Sequence, residues 1–170
     1  MNERRKSAIT IAILAVVLFL ASAICAAGII SLLTNREVLV ERDTGPLIAP
    51  VMFTLATLFV LAYLISQGVK PASQRGSIVG GAFIGGFSAY AIFLLSGALV
   101  YSIGKGELLI GLLFFGANAV GPFAIAVGVI AFAVTLAYLI LLASQDLGRA
   151  THPPRWFWEN RDDRDRNAPD

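Results

Sequence analysis

Charge is what this sequence has least of. Only 14% of its 170 residues are Asp, Glu, Lys or Arg, against about 25% in soluble globular chains. The shortage is also uneven. No Asp, Glu, Lys, Arg or His occurs in residues 7–35, 44–69, 76–104 or 108–145. A charge held in hydrocarbon is costly and persists there only for a function. Four such empty runs argue against a proton-coupled transporter, an intramembrane protease with acidic or histidine machinery, and a quinone or haem enzyme with histidine ligands. One histidine, His152, excludes a multi-histidine metal site. One cysteine, Cys25, excludes an intramolecular disulfide, a CxxC redox pair and a cysteine-based zinc site. There is no HExxH, no GxSxG with a partner histidine and no phosphate-binding GxxxxGK[ST]. The expectation is a chain that is not an enzyme and carries no cofactor or metal. Its net charge of +2 comes from scattered basic residues, which leaves no footprint for nucleic acid.

What the chain does have is apolar length. Hydrophobic residues make up 57% of it, and about 20 consecutive apolar residues suffice to cross a hydrocarbon core of about 30 Å. The expected fold is all-α, a four-helix transmembrane bundle. Residues 1–148 form the membrane domain, with spans at about 7–33, 46–67, 77–102 and 121–145, and residues 149–170 form a largely disordered tail. The first run also fits a cleavable secretory signal, because Ala21-Ser22-Ala23 has the small-x-small form. Apolar residues continue for ten positions beyond Ala23, which favours a retained helix. Cys25 lacks the small preceding residue of a lipoprotein site, since Ile24 stands there, and is read as a buried small hydrophobe.

The run from Leu108 to Gln145 is too long for one span. At 1.5 Å per residue its 38 residues would reach about 57 Å. A break is expected at Asn118-Ala-Val-Gly-Pro122, with Pro122 opening a new helix, where its missing N–H is not needed. That leaves a short apolar segment, 108–118, before the fourth span. It has no polar face, so burial against the bundle is favoured over lying on the lipid surface. Asn118 is expected to cap the following helix and is also the candidate for an outer-side site.

The second and fourth spans resemble one another. Leu61-Ala-Tyr-Leu-Ile65 recurs as Leu136-Ala-Tyr-Leu-Ile140, Gly45-Pro46 matches Gly121-Pro122, and a Ser-Gln pair follows each. Both halves would start and end on one side, so the pattern fits two parallel helical-hairpin repeats. The clearest packing signal is Gly81-xxx-Gly85 extended by Ala89, small residues that let helix backbones approach. It serves a contact within the chain or a homo-oligomer face. Ala23-xxx-Ala27 and Ala124-xxx-Gly128 are weaker signals of that kind.

Ten basic residues fall on the side of the termini (Arg4, Arg5, Lys6, Lys70, Arg75 and five tail arginines) and three on the other (Arg36, Arg42, Lys105). The excess of basic residues marks the cytoplasmic side, so a cytoplasmic membrane with both termini inside is expected. In the tail, five arginines face five acids, which cancels net attraction to an anionic leaflet. Trp156, Phe157 and Trp158 are read as interface anchors or, alternatively, a docking motif for a partner.

Gly45-Pro46-Leu-Ile-Ala-Pro50, Leu136 to Ser144, and Pro154-Arg-Trp-Phe-Trp-Glu159 together resemble an uncharacterised family of small four-helix integral membrane proteins from actinobacteria. The resemblance implies topology and host type and adds no catalytic residue. The function expected is that of a non-enzymatic accessory or scaffold subunit working by helix packing, with the bilayer, other membrane proteins or further copies of itself as partners. The alternative is a small oligomeric channel or carrier for an uncharged or weakly polar solute.

Overall fold

The computed structural model describes residues 3–34, 48–70 and 76–150. These form five helices: α1 (Glu3–Thr34), α2 (Ile48–Val69), α3 (Ile78–Lys105), α4 (Leu108–Ala119) and α5 (Pro122–Ala150). Four of them, all but α4, are long and apolar enough to cross a membrane. The protein is therefore an all-α, multi-pass membrane protein with one additional short apolar helix. Around the bundle α1 packs on α2, α2 on α3, α3 on α5 and α5 back on α1, while α4 lies against α3. The start of α1, the end of α2, the start of α3 and the end of α5 meet at one end, called basal below: Tyr138 reaches Ala8, and Tyr63 reaches Gly81.

The helix ends have local causes. Ser77 caps α3 by accepting the Gly80 N–H at 2.9 Å through its hydroxyl. Gly106 stops α3 in the left-handed region at φ 74°, donating its N–H to the Ser102 carbonyl at 2.8 Å. Pro122 opens α5 as expected, and the Gly121 carbonyl accepts the Ile125 N–H at 3.2 Å. Pro50 sits in the first turn of α2, where its missing N–H costs no bond.

Lipid offers no hydrophobic drive between helices, so close packing must hold them together. On α2 the buried residues recur every four positions: Ile48, Met52, Ala56, Val60, Leu64 and Gly68. A helix turns every 3.6 residues, so this stripe advances about 40° per step and winds around α2. Its two ends accordingly face different neighbours. Gly68 at the basal end lies against Tyr138 and Ala8, whereas Met52 near the other end lies over Gly97 of α3 beside Phe114 of α4. Edge-to-face contact of Phe53 with Phe93 at 5.1 Å and the Tyr101–Phe114 pair at 5.0 Å complete that outer half. On α1 the buried stripe is Ala8, Ala12, Val16, Phe19 and Ala23. Cys25 is exposed, contrary to the expectation that it packs inside. It stands two residues past Ala23, about 200° around the helix from that stripe.

The short segment is a separate helix. It buries Gly111, Phe114 and Asn118 and leaves Leu108, Leu109, Leu112 and Leu113 exposed. Burial thus involves one face, spaced three and four residues apart, rather than the whole segment. Gly111 sits directly over Ala98 and Ser102 of α3, and Phe114 over Gly97.

Candidate functional site

Along α3, at about 1.5 Å per residue, Tyr90 stands roughly 18 Å from the start of a helix about 42 Å long. Near this middle level, α4 ends and α5 begins. A chain break at such depth exposes backbone groups that lipid cannot satisfy. The protein supplies partners for them. The Tyr90 hydroxyl donates to the Ala119 carbonyl at 2.6 Å, and the Gly121 N–H donates to the Asn118 carbonyl at 2.9 Å.

Asn118 is buried, but it does not cap α5 as expected. Its amide Nδ2 donates to the Phe114 carbonyl at 2.9 Å, one turn back in its own helix. The reason is positional: Asn118 is still inside α4, and the break comes later, at Val120-Gly121, so Gly121 occupies the cap position instead. The candidate outer-side residue is therefore part of the inward face of α4, alongside Phe114 and Gly111.

Gly81, Gly85 and Ala89 lie on α3 facing its neighbours. A Cβ on Gly81 would meet Leu139 at 3.0 Å, and one on Gly85 would meet Tyr63 at 2.9 Å and Thr135 at 3.0 Å; Ala89 is fully buried. These contacts are within the chain. Tyr63 donates its hydroxyl to the Gly81 carbonyl at 2.7 Å, and Tyr138 donates to the Ala8 carbonyl at 3.3 Å. Both tyrosines thus tie helix to helix, and Tyr138, 1% exposed, does not mark the water interface. Trp156, Phe157 and Trp158 lie outside the described residues.

The tightest α3–α5 approach is one position away from the expected glycine pair. A Cβ on Gly86 would stand 2.9 Å from the Gly128 carbonyl oxygen and 3.0 Å from the Phe132 Cα, and a Cβ on Gly128 would meet Tyr90. Gly128 belongs to the weaker Ala124-xxx-Gly128 signal, whereas Gly86 was hidden beside Gly85 in the sequence.

Because those two glycines have no side chains, the outer surface above them is hollow. An open groove of about 570 Å³ runs there between α3 and α5. Phe83 and Phe87 form one wall, with their rings stacked 6.3 Å apart, and Val129 and Phe132 form the other. Ala119, Val120 and Ile125 line it at the helix break. Its size falls within the range of about 300–1,000 Å³ usual for ligand clefts. The Tyr90 hydroxyl is the one polar side-chain group of the lining, and it is already engaged by Ala119. The groove therefore presents hydrocarbon and aromatic surface, with no acid, base or nucleophile.

Among the described residues no cluster of three or more His, Cys, Asp or Glu side chains stands ready for a metal ion. Neither curated proteins nor solved structures yield a match to the chain. A family model does match, across nearly the whole length: the chain belongs to a family of unknown function, DUF6121, through residues 1–166.

Proposed function

We propose that this protein is a non-enzymatic accessory or scaffold subunit of the cytoplasmic membrane, acting through helix packing, with both termini on the cytoplasmic side. One observation carries the reading. The positions facing the bundle interior are filled by Phe19, Met52, Val60, Leu64, Leu94 and Phe114, each at most 1% exposed. A path for a solute along the axis would have to displace these side chains, and a reaction would need polar groups where these stand. The apolar surface lies on the outside instead: α1 from Ile24 to Thr34 buries no residue, and Gly28 has no neighbour within 4 Å. An actinobacterial host belongs to the same reading, supported by the resemblance of the Gly45–Pro50, Leu136–Ser144 and Pro154–Glu159 stretches.

The test is purification of the full chain from native membranes in mild detergent, with mass measurement of what co-elutes. A second membrane protein in near-stoichiometric amount is the expected outcome. Recovery of the protein alone, together with solute flux in proteoliposomes made from it, would replace this reading by that of a channel or carrier.

A further inference from the structure

We draw no further inference here: the strongest candidate, the apolar groove between α3 and α5 beside the α4–α5 break, presents only hydrocarbon and aromatic surface, and nothing in the structure shows what covers it.

Discussion

Replacing Gly86 by alanine tests the packing of α3 on α5 most directly. The added Cβ would stand 2.7 Å from the Phe132 Cβ, 2.9 Å from the Gly128 carbonyl oxygen and 3.0 Å from the Phe132 Cα, where ordinary contact begins near 3.4 Å. Two of these atoms are backbone and the third, a Cβ, is fixed to it, so no side-chain rotation relieves them and the two helices must part by roughly half an ångström or a little more. A radial gap of about 0.5–1 Å forfeits a quarter to a half of each dispersion contact it opens, and overpacking of this kind costs about 1–3 kcal/mol. Against that, alanine in place of glycine in a helix returns up to about 1 kcal/mol. The net expectation is a loss of roughly 1–2 kcal/mol, a factor of about 5–30 in the folded population. Two further glycines calibrate the scale. At Gly97 the Cβ would meet the Met52 sulfur and methyl group at 2.6 and 2.7 Å and the Phe114 ring edge at 2.9 Å, all of them side-chain atoms, and the methionine tip can move. At Gly116 nothing lies within 4 Å, so only the propensity gain remains. Unfolding of the full chain in mild detergent, followed by circular dichroism, should rank stability as Gly116→Ala above wild type, and Gly86→Ala below Gly97→Ala. A Gly86→Ala protein as stable as Gly116→Ala would refute the close α3–α5 contact.

Tyr63→Phe removes the bond to the Gly81 carbonyl, and interhelical hydrogen bonds in membranes average about 0.6 kcal/mol, with a maximum near 1.7; a loss in that range should appear in the same assay. Tyr90→Phe frees the Ala119 carbonyl, and the α4–α5 turn should loosen without global unfolding. Faster labelling of a Val120→Cys reporter in a Cys25→Ser background would show this, and an unchanged rate would count against the latch. Gly106→Ala forces a side chain into φ 74° and should cost about 1–2 kcal/mol, whereas Gly104→Ala, two residues away with open space around it, should cost nothing. Asn118→Ala should leave the start of α5 in place, because Gly121 and Pro122 define it; a shift of the first protected amide of α5 in hydrogen exchange would restore the capping role to Asn118.

The spans, the break at Gly121-Pro122 and the separate short helix are legible in the sequence because each follows from length, charge distribution and backbone chemistry, which are local. Which glycine makes the close contact is not local. Gly85 and Gly86 are adjacent, and only the rotation of α3 against α5 decides that Gly86 meets backbone while Gly85 meets the side chains of Tyr63 and Thr135. The same limit applies to the tyrosines. Tyr63 and Tyr138 occupy the same place in the repeated Leu-Ala-Tyr-Leu-Ile, and sequence offers the interface as their natural location. In the bundle one reaches from α2 to the start of α3, and the other from α5 to the start of α1. These two bonds interchange when the hairpin α1–α2 is exchanged for α3–α5, which is the relation a parallel duplication would produce. The second hairpin holds α4 between its two long helices, and the end of α4 brings Ala119 and Val120 to the α3–α5 groove. These two residues lie on the opposite side of the break from the buried face of α4, to which Gly111, Phe114 and Asn118 belong, so a single short helix supplies both a packing face toward α3 and part of the groove's lining.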